Sequence, residues 1–179
     1  ESDVRLLTLN TGGGFTGRTS ARPHHYLSAL LSRKAGRPVR LRAAGDEEFI
    51  MCRAGGKVIY KLRSGATKDG RLKVLEADLL FDNGAYLESQ MIVTTLTSKY
   101  MHAIYPLEAS RYRGRLAYTN HLPYYFHHGG GLAQFQFALG QHLDELAQEL
   151  GMDSVEFGLL NGVEEGYTTP DGSTTYHSC

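Results

Sequence analysis

Cysteine is scarce in this chain. Cys52 and Cys179 are the two cysteines among 179 residues, and no C-x-x-C pair occurs. Local cysteines therefore build neither a zinc site nor an iron–sulfur site. Two cysteines are compatible with a reducing compartment, and the expected location is cytoplasmic. No apolar run approaches the length of a membrane-spanning helix, and no leader pattern is visible, so no membrane partner is expected. Neither sign of charge prevails, with 19 basic and 19 acidic residues. The locally basic stretch from Arg33 to Arg42 alternates with apolar residues, and no long basic stripe stands out, so nucleic acid is not expected as a partner. Internal repeats are missing too. The chain opens on Glu1 instead of methionine and closes on a polar, turn-rich tail, which raises the expectation of a piece of a longer protein.

What is present is glycine in two informative places. Gly12-Gly13-Gly14-Phe15 follows the apolar segment from Val4 to Leu9, which reads as a strand. The order strand, glycine loop, helix exposes backbone N–H groups at a helix start, where an anion is favoured. Glycine lets backbone approach a ligand closely or adopt positive φ. The loop matches neither a Walker A loop nor a clean dinucleotide fingerprint. A tight structural turn is the equally weighted reading. Gly129-Gly130-Gly131 repeats the device directly before the strongest helix pattern in the chain. Two such loops raise the expectation that both face one anionic ligand.

The remaining pattern mixes helices and strands. Pro23 to Ala35 reads as a helix with apolar Leu27, Leu30 and Leu31, stopped by Gly36. Val39 to Ala43 alternates and reads as a second strand, followed by a helical turn at Asp46-Glu47-Glu48. Lys57 to Thr67 and Leu72 to Asp82 read as a hairpin around Lys68-Asp69-Gly70-Arg71. Asn83 to Tyr86 turns into a partly helical segment reaching about Tyr100, and Tyr112 to Thr119 reads as a strand. Leu132 to Leu150 carries the stripe Phe135, Leu139, Leu143, Leu146 and Leu150, ended by Gly151. Asp153 caps a short helix holding Val155, Phe157, Leu159 and Leu160. Strict βαβ alternation is missing, so the expected class is α+β, a mixed sheet with packed helices. The expected division is one domain over residues 1–163, then a tail over 164–179 leading to further chain.

Several segments in order carry a family resemblance. They are Gly12 to Arg18, Arg33 to Leu41, Asp46 to Phe49, Lys68 to Leu72, Asp82 to Tyr86, Tyr118-Thr119-Asn120, Gly129 to Gln134, Asp144 to Ala147, Gly151 to Phe157, and Leu160-Asn161. This series resembles the molybdopterin-binding subunit of the xanthine dehydrogenase and aldehyde oxidase family of molybdenum hydroxylases. The nearest branches are those of 4-hydroxybenzoyl-coenzyme A reductase and nicotinate dehydrogenase. The resemblance covers roughly Val4 to Asn161, each motif weak alone and the ordered set fairly specific. It implies part of a molybdenum–molybdopterin pocket, with Gly13, Gly14, Phe15, Thr16, His128 and Gly129 at the cofactor. Phe15 and His128 are the expected neighbours of the metal, and Thr19 and Gly130 those of the substrate.

The sequence departs from the family where His127-His128-Gly129-Gly130-Gly131 stands for the usual Phe-Arg-Gly-Phe-Gly. His128 replaces the arginine that contacts the cofactor. Gly130 replaces the phenylalanine that packs on aromatic substrates of xanthine-oxidising members. Thr19 replaces their glutamate, so the purine-recognition set is missing. The family's catalytic glutamate belongs to a later segment, and none of Glu47, Glu48 or Glu145 is promoted to that role. No catalytic residue is therefore expected within these 179 residues, and the piece alone is not expected to be active.

The resemblance implies an oxidoreductase as the full assembly, acting on an aromatic, heterocyclic or aldehyde-like substrate. Its implied partners are the remainder of the molybdopterin subunit and an iron–sulfur subunit, with a flavin (FAD) subunit or domain as a further candidate. Two other readings stay open, a non-catalytic scaffold of the same fold and a binding domain for another anion such as a nucleotide or coenzyme A. The pairs His24-His25 and His127-His128 invite a metal site, but adjacent histidines point apart and no carboxylate spacing supports one. A helix-start surface position fits the first pair better, and a cofactor-pocket lining the second. Tyr124-Tyr125-Phe126 reads as core beneath a loop ahead of a substrate wall.

Overall fold

The computed structural model describes residues 5–7, 9–10, 12–14, 21–51, 55–87, 90–125 and 129–174. The chain divides into two compact units, residues 1–53 and 54–179.

The described residues of the first unit carry two helices. Helix α1 spans Pro23–Ala35, with proline in its first turn where a missing N–H costs nothing. Gly36 ends it in the left-handed conformation at φ 61°, as the sequence leads one to expect. Helix α2 spans Gly45–Met51 and opens on Asp46, Glu47 and Glu48, which complement the positive end of the helix. The Glu47 carboxylate accepts from the Ala44 N–H at 2.7 Å, and Arg22 Nη1 donates to the Met51 carbonyl at 3.0 Å. Neither expected strand of this region forms among the described residues. Described residues of the 4–9 segment and all of 39–43 have no strand pairing, and Leu6, Leu7 and Leu9 are exposed. Apolar alternation makes a strand only where a neighbour completes the ladder, and none of the described residues does so here.

The second unit is built on a three-stranded mixed sheet of order β1-β2-β3. Strands β1 (Val58–Ala66) and β2 (Leu72–Gly84) form the expected hairpin, antiparallel with Tyr60 opposite Leu79. Helix α3 (Gln90–Tyr100) carries the chain across, and β3 (Ala109–Tyr118) pairs parallel to β2. Period-two alternation puts Leu75, Ala77, Leu79 and Phe81 of the central strand on one buried face. Helix α4 (Leu132–Glu149) covers that face with Phe135, Leu139, Leu143 and Ala147, four residues apart and fully or nearly fully buried. Each large side chain removed from water there contributes about 1.5–3 kcal/mol. Leu146 and Leu150 pack at the rim of this core instead of inside it.

Helix α5 (Ser154–Asn161) starts as expected. The Asp153 carboxylate accepts from the Val155 and Glu156 N–H groups at 2.9 and 3.1 Å. Its last residue, Asn161, is buried and fastens the hairpin turn, accepting from Leu72 N–H and donating to the Gly70 carbonyl, both at 2.8 Å. No helix among the described residues is long and apolar enough to cross a membrane.

Candidate functional site

The site grows from the turn that starts α4. Gly129, Gly130 and Gly131 have φ of 88°, 61° and 91°, three consecutive residues in a region that disfavours any side chain. At Gly131 the reason is also steric. A Cβ there would sit 2.8 Å from Val93 Cγ1 and 3.0 Å from Thr97 Oγ1 of α3, so the turn lies directly on that helix. The Tyr100 hydroxyl donates to the Gly129 carbonyl and ties the end of α3 to the head of the turn.

This path leaves donors over. Gly131 is the N-cap and offers no side chain to the helix start. Phe135 N–H returns to the Gly131 carbonyl at 3.0 Å, and Leu132 N–H reaches the Gly129 carbonyl at 3.4 Å. The N–H groups of Gly130, Gly131, Ala133 and Gln134 take no acceptor among the described residues. N–H groups without a described acceptor at the positive end of an 18-residue helix are the kind of donor an anion favours.

A groove of about 760 Å³ opens beside the same turn, lined by Val58 and Tyr60 of β1 and by Ala133, Gln134, Phe137 and Ala138 of α4. Its walls are apolar, but two buried polar atoms have no hydrogen-bond partner among the described residues, Tyr60 Oη and Gln134 Oε1. Burial, with Tyr112 nearby, pushes the Tyr60 phenol far above its ordinary value, so it remains a donor. A buried unsatisfied polar group costs about 1–3 kcal/mol, which a bound molecule with matching groups recovers. Neither Tyr60 nor Gln134 stands out in the sequence as a site residue. Tyr60 sits in an ordinary strand pattern, and only the fold buries its hydroxyl beside the groove without a partner among the described residues.

The loop that leads to the glycine turn is held by the end of β2. Asp82 accepts from Thr119 Oγ1 at 2.6 Å, His121 Nδ1 at 2.7 Å and Gly84 N–H at 3.0 Å. Burial works against the Asp82 carboxylate, but the bonds from Thr119, His121 and Gly84 outweigh it and hold its carboxyl below the ordinary value. Gln90 Nε2 donates to the Tyr124 carbonyl and fixes the next stretch. Tyr124 and Tyr125 are half-buried there.

Of the expected cofactor and substrate residues, Gly129 and Gly130 lie in this turn, Gly129 exposed and Gly130 buried. Gly13 and Gly14 belong to the first unit, both partly buried, with Gly13 at φ 131°. Phe15, Thr16, Thr19 and His128 lie outside the described residues, as do His127 and Phe126. His24 and His25 stand at the start of α1 as expected, and His25 Nδ1 accepts from the Arg22 N–H at 2.9 Å. Among the described residues no group of three or more metal-ligating side chains occurs.

Comparison with known proteins gives the arrangement its context. Residues 1–162 match the model of the molybdopterin cofactor-binding domain. The chain is 31% identical over 172 residues to the aldehyde oxidoreductase of Megalodesulfovibrio gigas, covering 96% of this chain and 19% of that protein. It is 30% identical over 169 residues to a xanthine dehydrogenase molybdenum-binding subunit of Escherichia coli O157:H7, covering 94% and 22%. The nicotinate dehydrogenase large molybdopterin subunit of Eubacterium barkeri is 27% identical, with 99% and 41% covered. Among solved structures, the aldehyde oxidoreductase of Desulfovibrio gigas superposes with a TM-score of 0.83 at 31% identity, over 91% of this chain and 18% of that one. The chain thus spans about a fifth of the length of the first of these relatives. With the α+β architecture, the matched model and these relatives in agreement, the chain belongs to the molybdopterin cofactor-binding domain family of the molybdenum hydroxylases.

Proposed function

We propose that this chain supplies part of the molybdenum–molybdopterin and substrate pocket of a molybdenum hydroxylase-type oxidoreductase. The observation that carries the reading is the start of α4, where three left-handed glycines leave N–H groups of Gly130, Gly131, Ala133 and Gln134 without acceptors among the described residues. Molybdopterin carries an anionic phosphate, and such donors suit it. The groove beside them supplies apolar walls together with the Tyr60 donor and the Gln134 acceptor, so the residues present fit a polar, flat group.

Gly129 and Gly130 contribute the backbone of this cradle. Gly13, Gly14, Phe15 and Thr16 are the proposed second cofactor loop, with Phe15 and His128 the proposed neighbours of the metal. When bound, the cofactor would supply the redox chemistry, and the protein would position it and exclude competing reactions. Thr19 and Gly130 are the proposed substrate-side residues. Without a side chain at Gly130 there is no aromatic wall at that position, and the substrate we propose is an aldehyde-like, aromatic or heterocyclic molecule other than a purine. The proposed domain runs over residues 1–163. An iron–sulfur subunit, and a flavin subunit or domain, are the proposed partners in electron transfer.

Molybdenum and pterin content of the native assembly containing this chain tests the reading, with the isolated 179-residue chain as control. Both groups in the assembly and neither in the isolated chain is the expected result. A matured assembly lacking both would leave a scaffold or a different anion-binding domain.

A further inference from the structure

The sheet has a second face, turned away from α4 and left to solvent. Strand register fixes its rows. Arg63, Glu76 and Arg111 lie side by side across β1, β2 and β3, and Lys61, Asp78 and Arg113 form the next row. Ile59, Leu80 and Arg115 form the third. Glu76 and Asp78 are each flanked by a cation on both sides, and Arg115 adds one more. Asp78 is shared, at 2.8 Å from Arg115 and 3.9 Å from Arg113, while Arg111 reaches Glu76 at 3.4 Å. Lys61 and Arg63 are exposed and in no ion pair among the described residues. Asp82, the next carboxylate along β2, is engaged by Thr119 and His121.

The chain as a whole is neutral, with 19 residues of each sign, yet in these rows five cations meet two carboxylates. Two carboxylates offset two of the five positive charges and leave a net charge of +3, with Arg111, Arg113 and Arg115 sharing the pairs and Lys61 and Arg63 in none among the described residues. Apolar side chains are interleaved with them. Ile59 and Val74 are both more than two-fifths exposed, and a shallow depression between Arg63 and Arg111 is floored by Val74 and Ala109.

We propose that this face docks a carboxylate-rich surface of a separate polypeptide in the native assembly. Charge complementarity names the partner's chemistry, because a surplus of long cations around aliphatic patches matches acidic side chains set around a small apolar anchor. Nucleic acid fits less well. The rows contain no aromatic side chain to stack on a base, and Glu76 and Asp78 stand between the cations where a phosphate backbone would track. A separate chain fits better than a permanently buried core contact. Cores exclude charge, whereas charged faces with small apolar patches characterise partners that associate after folding.

Lys61 makes the test direct. A zero-length carbodiimide couples its amine to any carboxylate in contact, and mass spectrometry of the native assembly reads the joined peptides. The expected result is Lys61 joined to an Asp or Glu of another chain. The triple variant R111Q/R113Q/R115Q, and Lys61→Glu alone, should release that same chain at a salt concentration roughly twofold or more below that needed for the wild type. Circular dichroism checks that the variants fold. Lys61 joined only to Glu76 or Asp78 of its own chain, with release unchanged in both variants, would overturn the proposal. Nuclease-sensitive nucleic acid retained on the wild type and lost from the triple variant would overturn it too. Cofactor content is read separately, so failure here leaves the pocket assignment standing.

Discussion

The Tyr100 hydroxyl donates to the Gly129 carbonyl, and this bond clamps the last residue of α3 to the first residue of the glycine turn. The turn carries the unpaired donors of the site, so the clamp links the packing of α3 to the shape of the cradle. Tyr100→Phe keeps the ring and removes the donor. A net loss of about 0.5–1.5 kcal/mol is expected. For a chain of this size that lowers Tm by about 2–4 °C per kcal/mol. Pterin retention in the assembly should fall more than stability does, and equilibrium dialysis beside thermal melts checks both.

A different residue holds the hairpin. Asn161 accepts from Leu72 N–H and donates to the carbonyls of Gly70 and Phe157, all within 2.9 Å and all buried. Asn161→Ala strands the Leu72 donor and should cost about 1–3 kcal/mol. Asn161→Asp keeps the acceptor but turns a carboxylate oxygen toward two carbonyls, and it should cost more. Denaturant melts rank the two variants, and the reverse order would contradict this account of the joint.

Acid should weaken the loop that reaches the site. Hydrogen bonds from Thr119, His121 and Gly84, working against burial, hold Asp82 below its ordinary carboxylate value. A group depressed in the folded state stabilises above its unfolded value and loses that contribution as pH falls through the folded one. Stability of the wild type should therefore drop below about pH 4, the ordinary carboxylate range. Asp82→Asn should flatten that limb while lowering stability at neutral pH. Melts from pH 2.5 to 7 show whether the two curves converge in acid, and parallel curves would contradict the assignment.

Some of this fold is legible in the residues, and the reasons are local. Pro23 and Gly36 bracket α1, Asp153 caps α5, and the four-residue spacing from Phe135 to Leu143 marks the buried face of α4. The hairpin follows from Asp69-Gly70 between two apolar runs, with Gly70 at φ 86°. The described residues of 4–9 and all of 39–43 carry equally good alternation and still form no strand, because pairing needs a partner that local pattern does not reveal. The parallel placement of β3 beside β2 is likewise a long-range fact. In the site, the glycine turn is visible by composition. The roles of Tyr100, Tyr60 and Gln134 depend on what the fold brings beside them, so they leave no local signal.

The central claim is that the glycine turn at the head of α4 forms part of the cofactor cradle, and two matched substitutions test it most directly. Gly129→Ala places a Cβ on a residue at φ 88°, 3.0 Å from Leu132 Cβ, while Gly140→Ala sits within α4 with nothing within 4 Å. Helix propensity should make the second neutral or stabilising by about 0.5–1 kcal/mol. Pterin per copy of this chain is then measured in the native assembly carrying each variant. The account predicts full pterin with Gly140→Ala and a clear loss with Gly129→Ala at preserved helix content. Equal pterin in the two variants would contradict it.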